Sequence, residues 1–124
     1  MKLIIGGAYQ GKLSYAEEKL HIDPHRVYTC AGPEIDFSYP CIHAIEEFTY
    51  ACVQADRDPL QYFQEHRDQW KDSVLICQDI FCGVVPLGAD LRAWRQNTGI
   101  LCQYLSGQAD SVVRIFCGLE QKLK

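Results

Sequence analysis

The stretch that decides the fold is Leu-Ile-Ile-Gly-Gly-Ala-Tyr-Gln-Gly-Lys-Leu-Ser, at residues 3–14. It starts with an apolar run, passes through three glycines and leads into a segment of mixed apolar and charged residues. A short apolar run bounded by glycines is typical of a buried strand that ends in a tight turn. The sequence therefore predicts a strand over Lys2–Ile5, a tight loop, and a helix over Leu13–Leu20.

The loop also has the spacing of a phosphate-binding loop, Gly-x-x-x-x-Gly-Lys-Ser/Thr, in which backbone amides surround phosphate oxygens and the lysine adds positive charge. The hydroxyl that would ligate Mg²⁺ is replaced by Leu13, and the nearest hydroxyl belongs to Ser14. A tight strand-to-helix turn with a solvated lysine is the alternative interpretation. The candidate nucleotide-binding residues are Gly6, Gly7, Ala8, Tyr9, Gln10, Gly11, Lys12, Leu13 and Ser14.

The remainder of the chain alternates between strand and helix patterns. Further strands are predicted over Arg26–Cys30, Ser73–Cys77 and Ser111–Cys117, and further helices over Cys41–Gln54, Pro59–Trp70 and Leu91–Ser106. Strands separated by helical crossovers favour an α/β fold with a mostly parallel sheet, here of four to five strands flanked by helices. The length of 124 residues fits one domain over 1–124.

Composition and charge exclude several classes of function. The net charge is −4 and no basic stripe is present, which argues against a nucleic-acid partner. No segment approaches the roughly 18 uninterrupted apolar residues of a membrane span, and the N-terminal apolar stretch is too short for a signal peptide. We therefore predict a cytoplasmic protein without a membrane partner.

The seven cysteines do not have the spacing of a structural zinc site. The closest pair, Cys77 and Cys82, is not accompanied by a second pair at finger spacing. In a reducing compartment most of them are expected to be small buried hydrophobic side chains.

An acidic residue follows the predicted strand Ser73–Cys77. In parallel sheets ligands gather at the carboxyl ends of the strands, so Asp79 is expected near the glycine loop. A carboxylate in this place orients Mg²⁺ through water in phosphoryl-transfer proteins. Ser14 and Asp79 are therefore the candidate metal ligands. The alternative is that Asp79 caps the following turn.

The last third of the chain carries a more specific pattern. It reads Cys-Gly-Val-Val-Pro at 82–86, Arg-Ala-Trp-Arg-Gln-Asn-Thr-Gly at 92–99, Cys-Gln at 102–103, Ala-Asp-Ser-Val at 109–112, Cys-Gly-Leu at 117–119 and Leu-Lys at 123–124. Together with the glycine loop, these motifs resemble the adenosylcobinamide kinase / adenosylcobinamide-phosphate guanylyltransferase family in order and spacing. Members of that family carry Gly-Gly-x-x-x-Gly-Lys-Ser near the start, followed by Glu-Val-Gly-x-Gly-Ile-Val-Pro and Arg-x-Phe-Arg-Asp-x-x-Gly.

The resemblance implies a P-loop NTPase-like fold, a homo-oligomer, and transfer of a phosphoryl group from ATP or GTP to adenosylcobinamide, with Mg²⁺, in cobalamin biosynthesis. By position it assigns catalytic roles to Lys12, Asp79, Arg92 and Arg95, and it matches Gln103 to the family's glutamine. Without the resemblance, arginines three apart on a helix share one face that suits phosphate or carboxylate, or that is simply solvated. Trp94 takes the place of the family's phenylalanine and is expected to pack.

The departures from the family pattern leave the function open. Leu13, Gln78, Phe81 and Gln96 replace the family's serine, asparagine, glycine and aspartate. The middle segment that carries the guanylylated histidine of full-length members is missing, and His66 is expected to be an exposed helix residue, so guanylyl transfer is not favoured. The alternatives are a catalytically degenerate nucleotide-binding or assembly protein, or a corrinoid-binding protein without kinase activity.

Overall fold

The computed structural model describes residues 1–80 and 88–124. Its strands are β1 (Lys2–Gly6), β2 (Val27–Thr29), β3 (Cys41–His43), β4 (Val74–Gln78), β5 (Ser111–Phe116) and β6 (Leu119–Lys122). Its helices are α1 (Lys12–Lys19), α2 (Ile45–Gln54), α3 (Pro59–Glu65), α4 (Arg67–Trp70) and α5 (Ala89–Gln108), and a 3₁₀ turn covers Pro24–Arg26.

The described strands form one sheet in the order β2-β3-β4-β1-β5-β6. Strands β1 to β5 are parallel, and β6 is antiparallel to β5. The first strand of the chain therefore lies inside the sheet, between β4 and β5. This confirms an α/β fold with a mostly parallel sheet flanked by helices, but with six strands in the described residues instead of four to five.

The two strands that the sequence analysis missed are short and lack a strand pattern of their own. The segment 41–54 was predicted as one helix because its apolar spacing is continuous, yet Cys41–His43 pairs with β2 and β4. The left-handed conformation of Ala44, with φ of 62°, separates this strand from α2. Strand β6 is exposed at all four positions and therefore shows no alternation of buried and exposed residues.

The remaining boundaries differ less. The single helix predicted over Pro59–Trp70 is two helices, because the chain breaks at His66, where the C-cap of α3 is also the N-cap of α4. Asp58 caps the start of α3, since its side chain accepts a hydrogen bond from the Leu60 amide at 3.0 Å. Helix α5 extends about two residues beyond its prediction at each end.

Each face of the sheet has its own apolar core. The larger core contains Leu3 of β1 together with buried side chains of α2, α3, α4 and α5, including Phe48, Phe63, Trp70 and Leu101. The smaller core lies on the opposite face, beneath α1. Its buried members are Ile4, Ala16, Cys41, Ile76 and Ile115. Leu3 and Ile4 belong to different cores because successive side chains of a strand point to opposite faces.

The described cysteines are free thiols. As predicted, most of them are buried; they are Cys30, Cys41, Cys52, Cys77 and Cys102. Cys117 is exposed, and Cys82 lies outside the described residues. In the described parts of the chain, no helix combines the length and apolar character that a bilayer crossing requires.

The end of β1 leads to a first prediction. A Cβ on Gly6 would lie 2.6 Å from the Ile115 carbonyl oxygen, which is part of a paired strand and cannot easily move. We expect Gly6→Ala to lower the free energy of unfolding by about 1–3 kcal/mol, measured by urea denaturation. Gly32→Ala is the control, because an added Cβ there meets nothing within 4 Å. Equal effects of the two substitutions would contradict this steric argument.

Candidate functional site

The candidate site forms where the carboxyl ends of the parallel strands meet. Gly6, the last residue of β1, is in register with Gln78 of β4 and Ile115 of β5. The Asp79 amide continues this alignment and donates to the Gly6 carbonyl at 2.9 Å. The structure therefore brings the glycine loop and Asp79 together, as the sequence analysis expected.

The loop leads directly into the first turn of α1. Gly11, with φ of 94°, is the N-cap of this helix, and no side chain caps the helix there. Tyr9 also has a positive φ of 59°, and its side chain is fully exposed. The first amides of a helix without a side-chain cap carry partial positive charge, which favours an anion at this position.

Gln10 is held by the turn between β5 and β6. The Cys117 amide donates to Gln10 Oε1 at 2.5 Å, and the Gly118 amide donates to the Gln10 carbonyl at 2.9 Å. The sequence analysis did not find this contact, because it joins residues 107 positions apart. No local signal in the sequence connects a glutamine in one loop with the amides of a distant turn.

Lys12 folds back over the loop. Its Nζ donates to the Gly7 carbonyl at 2.6 Å. Burial lowers the pKa of Lys12, and the negative charges of Glu46, Cys77 and Asp79, when ionised, oppose that shift. The ammonium is therefore partly desolvated, and in the described structure its hydrogen-bond acceptor is an uncharged carbonyl.

Glu46 is a site residue that the sequence analysis missed. It lies in the first turn of α2, directly after β3, and its Oε1 accepts a hydrogen bond from the Gln78 amide at 2.9 Å. This bond holds a carboxylate near Lys12. The predicted helix over residues 41–54 would place Glu46 in its middle. Because residues 41–43 are a strand, Glu46 lies instead in the first turn of α2, at the end of the sheet that carries the loop.

Trp94 supports Glu46 from the neighbouring helix. Its indole Nε1 donates to the Glu46 carbonyl at 2.8 Å and lies 3.1 Å from the Thr49 hydroxyl. Its ring packs edge-on against Tyr50, with centroids 5.3 Å apart. Trp94 therefore joins α5 to α2, which confirms the prediction that it packs.

Asp79 is largely enclosed at the end of β4. Its side chain is 11% exposed, and Oδ2 lies 3.9 Å from Nε of Arg114. Arg114 belongs to β5 and was not among the predicted site residues. A distance of 3.9 Å is long for a hydrogen bond, so this pair is a loose ion pair rather than a closed one.

A pocket of about 180 Å³ lies over the loop. It is lined by Tyr9, Gln10, Gly11, Lys12, Leu13, Ser14 and His43. Ser14 is exposed, whereas Leu13 packs against the smaller core. His43, at the end of β3, has its Nδ1 3.3 Å from the Thr29 hydroxyl, and burial lowers its pKa. The sequence analysis assigned no role to His43, because nothing in its local sequence links it to the loop.

The candidate residues of α5 take different positions. Arg92 and Arg95 lie in its first two turns, with Arg92 exposed and Arg95 half-buried. Gln103 lies further along the helix and lines a separate pocket of about 590 Å³ with Ile5 and Cys102. The structure therefore does not bring Gln103 to the loop pocket. Phe81 and the motif at 82–86 lie outside the described residues.

The expectation that His66 is an exposed helix residue is wrong. His66 is half-buried at the break between α3 and α4, and its Nδ1 lies 2.6 Å from the Tyr62 carbonyl. Its ring stacks on that of Tyr62 with centroids 4.2 Å apart. The aromatic cluster around it explains this burial and gives His66 a structural role.

The described residues contain no cluster of side chains that could by itself hold a metal ion. Within residues 1–80 and 88–124, no group of three or more histidine, cysteine or acidic side chains is arranged to hold a metal ion. Ser14 and Asp79 remain the predicted ligands.

A comparison of the chain with protein-family models and with curated proteins found no match.

The electrostatic link between Lys12 and His43 can be tested without a ligand. The positive charge of Lys12 contributes to the lowered pKa of His43. We therefore expect Lys12→Met to raise the pKa of His43, measured by NMR titration of its ring. Lys19→Met, which removes an exposed charge at the far end of the same helix, should leave this pKa unchanged. A His43 pKa that is unchanged or lower in Lys12→Met would contradict this electrostatic link.

Proposed function

We propose that the chain is a P-loop nucleotide-binding domain related to cobinamide kinase, and that the loop from Gly6 to Lys12 binds the phosphates of ATP or GTP. The observation that carries this proposal is the position of Lys12. Its half-buried ammonium lies on the carbonyl of its own loop, next to a helix start that has no side-chain cap. This combination of a cation and directed amides suits a phosphate group.

Lys12 favours an anion over its present acceptor. Its hydrogen bond to Gly7 is made to a neutral oxygen. A phosphate oxygen accepts a stronger, charge-assisted hydrogen bond, and its negative charge would offset the desolvation of the ammonium. A bound phosphate would therefore replace the Gly7 carbonyl as the acceptor.

The proposed reaction is transfer of the γ-phosphoryl group to a hydroxyl, which the family resemblance identifies as that of adenosylcobinamide. Phosphoryl transfer depends mainly on alignment and charge stabilisation. Lys12 would bind the phosphates, and Arg92 and Arg95 would stabilise negative charge on the transferred group. Mg²⁺ supplies further neutralisation when bound.

The residues fit a magnesium ion only in part. Asp79 offers a largely enclosed carboxylate beside the loop, and such a group suits a metal held through water. Position 13 offers no ligand, because the hydrocarbon side chain of Leu13 has no donor atom, and it packs against the smaller core. Ser14 offers the nearest hydroxyl in the loop pocket.

Leu13 favours a second candidate, a nucleotide-binding or assembly protein that has lost catalysis, because coordination of magnesium by the loop hydroxyl is central to transfer. In this alternative the loop still holds phosphate through Lys12 and its amides, because neither requires the missing hydroxyl. A corrinoid-binding protein without kinase activity would instead bind cobinamide and no nucleotide. Titration with nucleotides separates these cases first.

The deciding experiment is calorimetric titration of ATP and GTP, with and without Mg²⁺, into the protein and its Lys12→Ala variant. We expect binding by the unmodified protein and at least about a tenfold loss of affinity in Lys12→Ala. Lys19→Ala is the matched control, since that lysine lies in the last turn of the same helix. Absence of binding, or equal affinity in Lys12→Ala, would refute the proposal. Binding that depends on Mg²⁺ leads to a cobinamide phosphorylation assay.

A separate prediction concerns position 13. If the missing hydroxyl limits transfer, Leu13→Thr should raise the rate of cobinamide phosphorylation, because it returns a Mg²⁺ ligand to the loop. It should also lower stability by about 1–2 kcal/mol, since it removes apolar contacts with the smaller core. Leu13→Val is the control, because valine has the shape of threonine without its hydroxyl. A measurable activity that is the same in both variants would contradict this role.

A further inference from the structure

Strand β6 forms an open edge of the described sheet. It pairs with β5 on one side, and no described strand lies on its other side. All four of its residues are exposed. An edge strand presents unpaired backbone N–H and C=O groups, which are a template for a further strand.

The hydrogen bonds to β5 determine which backbone groups face outward. The turn at Cys117 and Gly118, with φ of 52° and 75°, joins Phe116 directly to Leu119. In such a two-residue hairpin the flanking residues form a hydrogen-bonded pair, and hydrogen-bonded residues then alternate along the strand. The Leu123 amide donates to the Val112 carbonyl at 2.8 Å, as this alternation requires, but the ladder is irregular beyond Lys122. The Lys124 amide donates to the same carbonyl at 3.1 Å, and the Val112 amide donates to the Lys124 carbonyl at 3.3 Å.

The backbone groups of Glu120 and Lys122 therefore face away from β5. Leu119 and Gln121 direct their backbone groups toward it, as does the amide of Leu123. Only registers that pair the outward residues with one another are open to an incoming antiparallel strand.

The sequence of this edge complements itself. Residues 119–123 read Leu-Glu-Gln-Lys-Leu. If two copies run antiparallel with Gln121 on the two-fold axis, Glu120 of each copy lies opposite Lys122 of the other. Both are residues whose backbone groups face outward. Registers centred on Glu120 or on Lys122 instead place like charges directly opposite each other, which is destabilising.

The same register also covers exposed apolar side chains. Leu119 is 73% exposed, Leu123 is 52% exposed, and Phe116, the β5 partner of Leu119, is 58% exposed. Leu119 and Phe116 share one face of the sheet, since paired residues lie on the same side. Leu123, one residue beyond β6, follows Leu119 and Gln121 in the alternation along the chain. With Gln121 on the axis, Leu119 lies opposite Leu123 of the second copy, and the apolar row continues across the junction.

We propose that β6 is a homodimer interface, at which a second copy of this chain pairs antiparallel about Gln121 and joins the two sheets into one. The charge complementarity of residues 119–123 identifies the occupant as a second copy rather than an unrelated strand. The Gln121 residues of the two copies lie opposite each other at the two-fold axis, with one Glu120–Lys122 pair on each side. This interface does not depend on nucleotide binding.

The test is a concentration series by sedimentation velocity and light scattering. A short edge contact gives a weak dimer, so the series should extend from about 1 to several hundred µM. We expect the unmodified protein to show a monomer–dimer equilibrium. Lys122→Glu places Glu opposite Glu120 at both pairs and should raise the dimer dissociation constant at least about tenfold. The double variant Glu120→Lys/Lys122→Glu restores both pairs with exchanged signs and should recover dimerisation.

Two controls separate pairing from indirect effects. Lys19→Glu makes the same change in net charge at an exposed site on α1 and should leave dimerisation unchanged. Glu120 also accepts a hydrogen bond from the Tyr15 hydroxyl at 2.5 Å, so the double variant is compared with Tyr15→Phe, which loses this bond alone. Lys122→Glu keeps the Tyr15 bond.

A second readout locates the contact within the strand. The amides of Glu120 and Lys122 should exchange slowly with solvent at high protein concentration and rapidly in Lys122→Glu. A protein that is monomeric throughout the series would overturn the proposal. So would a dimer that Lys122→Glu does not weaken, or a double variant that associates no better than Lys122→Glu when Tyr15→Phe associates normally.

Discussion

The pairing of β1 on both of its sides is the constraint on which the rest of the structure depends. Because β4 and β5 enclose it, Gly6 meets the carbonyl of Ile115 so closely that a side chain has no room. The loop that follows must therefore leave the sheet at its centre rather than at an edge. The ends of β4 and β5 flank it, and the carboxylates of Glu46 and Asp79 become its neighbours.

The sequence is most informative where burial alone determines the structure. β1, β4 and β5 are predictable because each carries a continuous or alternating apolar run, and α1 is predictable from the glycines that precede it. β3 and β6 form because neighbouring strands or a two-residue turn hold them, which no pattern within three or four residues reveals.

The candidate site likewise contains residues that a local pattern predicts and residues that only the folded structure brings together. The loop and Asp79 could be found, because a known spacing and the end of an apolar strand identify them. Glu46, His43 and the bonds from Cys117 and Gly118 to Gln10 could not, because tertiary packing brings them to the loop. Residues far from Lys12 in the sequence, among them Glu46 and Asp79, therefore contribute to its surroundings.

The two halves of the glycine loop are fastened differently. Gln10 is tied to the β5–β6 turn through both its side chain and its main chain, whereas the carbonyl of Gly7 is held by the ammonium of Lys12. Tyr9 lies between them with a positive φ, a conformation that stores strain in a residue other than glycine. When Lys12 turns to another acceptor, the Gly7 carbonyl loses this hydrogen bond, whereas the bonds from Cys117 and Gly118 to Gln10 do not involve Lys12. A ligand that engages Lys12 would therefore release one hydrogen bond in the first half of the loop and leave the attachment of its second half to the β5–β6 turn intact.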